Sequence, residues 1–522
     1  MASEIRKGIY RIATNYGRLL STMAMGIATV PLQIKWLGME GFGLLSLVGS
    51  SIGIGGMLQD MMRSSMVREL GEAWHQRENG KFKESYAASF KVSAVVALLT
   101  AVVFGIIIAI IPLLKIKEEW IEPAQWITGC EGLASCLIVL LAPVLNMLVV
   151  REQFFWHNLW TVARRSSYLI ATVIPFLVMQ VTDLNQGLIL FGNIVLIVNV
   201  LSTLLLLAGV IFVDKRMIPT IRGATPEAMK KIAGTFGWNS GVVIAMNLHE
   251  TFANVIMNLF FGLVGTAIFS LALRLVSYIR MMSLGITFGL DSVSARLSSS
   301  EENTGLTQMF RHSTRMLSFV AFPAMVVVFI IAEPLLRMWV GRSLENPELM
   351  LPPTEILVKI MVLGLACRAV SDGWMKLFYG AGHIRKYAPY IFAGGICNPI
   401  LSILLIVVLP EDQNYIGVAV AYTAVLLIFH IVIMPKVTAA SVGLSYKKII
   451  RPAIRPFIIA VAVSPALFSA DYFSETELLN WNGVILGVCI YSLAYLLASW
   501  WFLFTKNERQ GLQRLCFQLV GR

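Results

Sequence analysis

Runs of about 20 apolar residues recur along this chain, and each is long enough to cross the ~30 Å hydrocarbon core of a bilayer as a helix. Val95 to Leu114, Leu188 to Val213 and Val484 to Phe504 are three of them. Hydropathy places fourteen spans, at roughly 12–34, 42–62, 90–114, 126–149, 166–182, 187–213, 236–259, 265–288, 315–336, 355–379, 388–409, 415–435, 453–470 and 483–504. Only 14% of the 522 residues are charged, against about 25% in ordinary soluble domains. No hydrophilic stretch is long enough for a soluble domain. The expectation is an all-α polytopic membrane protein whose work is done within the bilayer.

The net charge of +12 is read as topology rather than as affinity for nucleic acid, because basic residues gather in cytoplasmic loops. Lys and Arg mark alternate loops: Arg6/Lys7, Arg77/Lys81/Lys83, Arg151/Arg164/Arg165, Lys215/Arg216/Arg222/Lys230/Lys231, Arg296/Arg311, Arg385/Lys386, Lys447/Lys448/Arg451 and the tail Lys506/Arg509/Arg514. The opposite loops are acidic (Asp183, Glu411/Asp412, Asp471/Glu475/Glu477) or mixed. The alternation predicts both termini in the cytoplasm. Arg18 interrupts the first apolar run and no small-residue cleavage site follows, so the N-terminus does not read as a signal peptide. The six cysteines (130, 136, 367, 397, 489, 516) have no C-x-x-C spacing and read as packing residues.

Residues 15–47 overlay 239–271 without a gap. Asn15 and Gly17 meet Asn239 and Gly241; Leu37-Gly38-Met39-Glu40-Gly41 meets Phe261-Gly262-Leu263-Val264-Gly265. Each half then has six spans, and an even number returns the chain to the same side. The halves are therefore expected as parallel repeats: residues 1–213, residues 214–436, and a C-terminal helix pair with its tail at 437–522. Transporters commonly bind substrate between two such halves.

Polar residues at membrane depth point to function. Residues 247–258 read N-L-H-E-T-F-A-N-V-I-M-N. His249-Glu250 begins like the zinc signature H-E-x-x-H, but Ala253 stands where the second histidine belongs, so no metal site is expected. At 100° per residue Asn247, Glu250, Asn254 and Asn258 share one face of span 7. Such a stripe joins helices or faces water. Glu250 favours water, since a carboxylate in lipid costs about 2.5–3.5 kcal/mol. Span 1 carries Arg18, and span 8 carries Arg274 and Arg280. Span 10 carries Arg368, Asp372 and Lys376 at spacing four on one face, within reach of a pair between Asp372 and either neighbour. In span 2, Asp60 is expected to pair with Arg63. Cations on spans 1, 8 and 10 outnumber the nearby acids, and the simplest resolution is a cationic cavity with an anionic ligand. Arg suits phosphate because its planar fork makes two parallel charge-assisted bonds.

The stretch Trp36 to Ile52, W-L-G-M-E-G-F-G-L-L-S-L-V-G-S-S-I, followed by Met57-Leu58-Gln59-Asp60 and Arg68-Glu69-Leu70, resembles the polysaccharide flippases of O-antigen and capsule export. These belong to the multidrug/oligosaccharidyl-lipid/polysaccharide exporter superfamily. Phe42 stands where tyrosine is common in the family's turn before span 2. The resemblance implies two six-helix lobes plus two C-terminal helices, set as a V around a central cavity in a bacterial inner membrane. It implies an isoprenoid-diphosphate-linked oligosaccharide as substrate, moved from the cytoplasmic to the outer leaflet, with membrane lipids and glycan-assembly proteins as partners. On that reading Arg18, Arg274 and Arg280, with Arg368 and Lys376, serve the diphosphate, and Asn247, Asn254 and Asn258 face the sugars. Glu250, Asp372 and Asp60 supply counter-charge or a site for a coupling proton or Na+; no other cofactor is expected. Two rivals are a cation-coupled multidrug exporter of the same superfamily, which would want acids and aromatics for organic cations, and a membrane-embedded glycan polymerase or ligase. The outward loops are short, and the longest, Gly341 to Pro353, has no acid/base or nucleophile constellation.

Overall fold

The structure, a computed structural model, describes residues 2–75, 79–287, 290, 294, 303–381, 383–441, 443–468, 481–506, 508–510 and 513. Within these, the side chains of 2–13, 50–61, 63–65, 68, 75, 79, 235–240, 243, 248, 303, 304, 379, 380, 384 and 481 lie outside the description. The expected Asp60–Arg63 pair therefore falls outside it.

Every described element is helical, and no strand occurs among the described residues. The α-helices are α1 Ala2–His75, α2 Asn79–Ile110, α3 Glu118–Leu140, α4 Ala142–Val150, α5 Phe154–Val173, α6 Leu184–Val213 and α7 Pro226–Thr287. They continue with α8 Asn303–Ile330, α9 Ala332–Val340, α10 Pro347–Gly380, α11 Ile384–Val408, α12 Gly417–Leu427, α13 Met434–Ser441, α14 Tyr446–Ala462 and α15 Trp481–Phe502.

Two helices are each a pair of predicted spans joined at one glycine. In α1 the joint is Gly38, at φ 69° and ψ −178°; in α7 it is Gly262, at φ 67° and ψ −162°. That backbone region is essentially closed to side chains. The sequence overlay pairs these same two glycines, so the repeat is written in the backbone as well as in the residues. With the two joints counted as breaks, a described helical segment falls on each of the fourteen predicted spans. Eight described helices are long and apolar enough alone to cross a bilayer, or nine if α3 and α4, bent by 51°, form one span. The bend has a cause: Pro143 enters at the start of α4 and cannot donate a backbone hydrogen bond. The α14 helix falls short because it has 17 residues and carries Lys447, Lys448, Arg451 and Arg455.

One predicted boundary moves. The α5 helix begins at Phe154, so Arg164 and Arg165 lie inside it rather than in a loop. Its first turns contain Trp156, His157, Asn158 and Trp160. These lower mean hydropathy without breaking a helix, which is why a hydropathy window starts the span late.

The chain divides into two compact units: Met1–Leu271 with Ser343–Glu345 and Ala388–Tyr422, and Ala272–Arg342 with Asn346–Tyr387 and Thr423–Arg522. In the first, α1 packs on α2, α3 and α5, and α6 packs on α3 and α5. One cluster gathers Trp36, Leu44, Ile127, Ala171, Phe191 and Leu263, and another Met62, Met66, Tyr86, Phe90, Met147 and Met217. Between helices in lipid the gain is close packing rather than escape from water. The outer faces of α2 (Leu98, Leu99, Val102, Ile106) and α6 (Leu201, Leu205, Phe212) stay exposed, as lipid-facing helices require. Beyond the end of α6 a polar clamp closes the unit. Trp74 lies under Arg216 at 4.8 Å and Arg151 at 5.3 Å. Asp214 binds Arg216 at 3.0 and 2.8 Å and Arg151 at 3.3 Å.

In the second unit α8 packs against α10 and α14. Trp374 is buried and its indole N–H donates to Thr314 Oγ1 at 2.7 Å. Tyr495 donates to the Phe319 carbonyl at 3.1 Å. Arg315 pairs with Glu508, whose carboxylate also accepts from the Thr505 N–H at 2.9 Å.

Two expectations follow. Gly38→Ala and Gly262→Ala should each cost about 1–3 kcal/mol and lower the melting temperature in detergent. Gly17→Ala, on an open face of regular helix, should instead raise stability by up to about 1 kcal/mol. The hydrogen bonds and charge of Arg216, with Arg151, hold the Asp214 carboxyl below its usual range. Its contribution is present above the unfolded value of about 3.9 and is lost as pH falls through the lower folded value. Solvent screening keeps it below about 1 kcal/mol. Melting curves taken from neutral pH down to about pH 3 should fall more steeply for the wild type than for Asp214→Asn.

Candidate functional site

The α7 helix beyond Gly262 carries Arg274 and Arg280, and α10 carries Arg368, Asp372 and Lys376. The structure joins the two helices through one ion pair. Arg280 Nε donates to Asp372 Oδ2 at 2.7 Å, and a second guanidinium nitrogen lies 3.5 Å from Oδ1. The Arg280 side chain is 24% exposed and that of Asp372 is 5% exposed. Asp372 thus hydrogen-bonds across to another helix, a partner that spacing along α10 does not offer. The reason is burial. Lys376 is exposed and cannot neutralise a buried carboxylate, whereas Arg280 reaches it from the facing helix. Arg368 is itself buried, at 3% exposure, and its charge also acts on Asp372. Arg274 is half-buried one turn before Tyr278, whose ring meets Trp339 edge-on at 6.3 Å.

A fourth member was missed in the sequence. His430 is buried in a π-helical turn, Ile428–Ile433, between α12 and α13. Pro435 explains the turn: it has no N–H for the Ile431 carbonyl four residues earlier. The Tyr446 hydroxyl donates to that carbonyl instead, at 2.9 Å. The turn aims His430 at α10, where its Nδ1 is hydrogen-bonded with Ser371, next to Asp372. A lone histidine in an apolar span gave no periodic signal; the available clue was Pro435 within a predicted span.

The remaining predicted site residues lie in the first unit. On the stripe of α7, Asn247 and Glu250 are half-buried, while Asn254 and Asn258 are buried. Asn254 Oδ1 accepts from the Ser270 hydroxyl at 2.8 Å. Asn258 clamps the backbone of Lys115: its Oδ1 accepts from the N–H at 2.9 Å and its Nδ2 donates to the C=O at 3.2 Å. Those two amides join segments of the protein. His249 packs edge-on to Tyr422 at 6.3 Å, and its carbonyl accepts from Asn398 at 3.2 Å. Arg18 is half-buried on α1. In the second unit, Lys359 is paired with Glu355 at 2.6 Å. A buried acid absent from the sequence reading also appears in the first unit. Glu131 on α3 is 4% exposed and accepts a hydrogen bond from the Tyr168 hydroxyl of α5. Arg164, placed in a loop by hydropathy, stacks over Trp160 at 5.5 Å within electrostatic reach of Glu131. An acid in the middle of a predicted span was the signal.

The MatE family model matches residues 243–408. No curated protein gives a significant match in sequence. Among solved structures, the lipid II flippase MurJ in an inward closed conformation is similar over 94% of this chain and 98% of its own, with TM-score 0.66 and 15% identity. An inward-facing multidrug resistance MATE family transporter of the MOP superfamily is similar over 87% of this chain and 96% of its own, with TM-score 0.64 and 14% identity. A MOP superfamily transporter from Pyrococcus furiosus, described as having a binding pocket of reversed polarity, matches over 83% and 96%, with TM-score 0.63 and 14% identity. This chain is a polytopic membrane protein with the fold that these transporters share.

The Arg280–Asp372 contact should behave as a coupled pair. In a double-mutant cycle of Arg280→Met and Asp372→Asn, read by thermal unfolding in detergent, the interaction energy should lie within about 0.5–3 kcal/mol. Asn258→Ala should cost about 1–3 kcal/mol by leaving the Lys115 backbone unmatched.

Proposed function

We propose that this protein is a flippase that moves an isoprenoid-diphosphate-linked oligosaccharide from the cytoplasmic to the outer leaflet of a bacterial inner membrane by alternating access. Such a lipid needs help only with its head, because sugar hydroxyls and a charged diphosphate cannot enter hydrocarbon unaided. One observation carries the anionic reading: Arg280 and Arg368 converge on the single carboxylate of Asp372. With Arg18 and Arg274, four guanidiniums occupy three predicted spans whose deep acid is Asp372. Lys359 and Glu355, nearer a helix end, neutralise each other. Arg18, Arg274 and Arg280 are the proposed diphosphate contacts. Asn247 is the proposed sugar contact, since the amides of Asn254 and Asn258 are engaged elsewhere. Glu250 and Asp372 supply counter-charge. The repeat supports residues 1–213 and 214–436 as the moving lobes, with 437–522 appended and both termini cytoplasmic.

The fold accommodates drug exporters equally well, but the intramembrane arginines oppose a pocket for organic cations. In proteoliposomes carrying a fluorescent isoprenoid-diphosphate oligosaccharide, Arg274→Ala and Arg280→Ala should slow flipping at least about tenfold, the loss of one charge-assisted contact of about 1.5–3 kcal/mol. Unchanged flipping by the variants at equal protein levels would remove the anion role of these arginines; no flipping by the wild type, with saturable uptake of an organic cation in its place, would remove the flippase reading.

A further inference from the structure

Resting on the anionic reading above, we infer that His430 is the protonation site tied to the anion: the head group and a proton bind together. The argument begins with the π-helical turn Ile428–Ile433, which turns His430 inward against Ser371. Ser371 has one hydroxyl hydrogen, and its Oγ lies 3.1 Å from the Arg368 carbonyl, to which it donates. When both ring nitrogens of His430 carry hydrogen, Nδ1 donates to this Oγ, so the contact accommodates the charged imidazole.

The groups around this imidazole fix its response. On α10, Ser371 touches it and Asp372 lies within its electrostatic reach, and Arg368 of α10 and Arg280 of α7 act on that same Asp372. The Tyr446 hydroxyl binds the same π turn at the Ile431 carbonyl, and Lys436 on α13 is exposed. A protonated His430 is the third cation acting on Asp372, beside Arg280 and Arg368. A diphosphate engaging Arg280, the member of the cluster with the most exposed side chain, brings in negative charge and relieves that repulsion. Linkage is reciprocal: if the anion favours the proton, the proton favours the anion by the same factor. Histidine is the side chain suited to this near neutral pH.

The test uses the full-length protein in detergent and farnesyl diphosphate as probe. Calorimetric titrations in buffers of different ionisation enthalpy count the protons taken up per probe bound. The probe's own titration is common to all variants and cancels in the difference. Wild type should take up more protons than His430→Asn, whose amide can still donate to Ser371. Wild-type affinity should fall with rising pH more steeply than the variant's, by up to about tenfold per pH unit for one linked proton. If the asparagine variant does not accumulate, His430→Gln serves in the same comparison. Binding with equal proton uptake in wild type and variant overturns the role of His430 and leaves the anionic reading standing. Absence of farnesyl diphosphate binding to wild type overturns the anionic reading itself, and this inference with it.

Discussion

A backbone crossing hydrocarbon has no water to bond with, so each N–H and C=O must be satisfied within the protein. The rest of this structure follows from that constraint. It makes the described elements helical, and several departures fall at a residue that excuses them. Gly38 and Gly262 permit a backbone conformation that side chains forbid. Pro143 marks the bend between α3 and α4, and Pro175 lies in the π turn Ile174–Val178. Pro435 frees the Ile431 carbonyl, and the Tyr446 hydroxyl takes it up. The departures shape the helices: one π turn brings His430 against Ser371, and each glycine joint turns one long helix into two limbs.

The same medium sets the terms for charge. An ion at membrane depth must find a partner, a hydrated face or a ligand. Asp372 has a partner on a facing helix, and that bond links α7 to α10. Glu131 finds a tyrosine. Buried charges of this kind are costly to maintain when hydrophobic residues would pack as well, which makes them better evidence of a task than of stability.

How far the sequence could be read differs by residue. The glycine overlay was legible because a positive-φ joint leaves a chemical mark: Gly38 and Gly262 are matched in residue and in dihedral angles. The stripe Asn247, Glu250, Asn254, Asn258 was legible as a stripe, since helical periodicity is local. Its division was not. Asn254 and Asn258 are occupied by Ser270 and by the Lys115 backbone, contacts that depend on which segments lie opposite. The partner of Asp372 was hidden for the same reason, because spacing along α10 offers Arg368 and Lys376 while the bonded group comes from α7.

By itself, then, the sequence determined that this is an all-helical membrane protein, about where its apolar spans fall, and that two glycine turns match across a repeat. Those properties come from hydropathy over about 20 residues and from the backbone rules of glycine and proline, which act locally. Only the tertiary structure decided which polar groups meet: Arg280 with Asp372, His430 with Ser371, Glu131 with Tyr168. Pairing across helices depends on their rotation and register, and apolar residues of many sequences satisfy the same packing, so the partner of a buried charge is not encoded in its own neighbourhood.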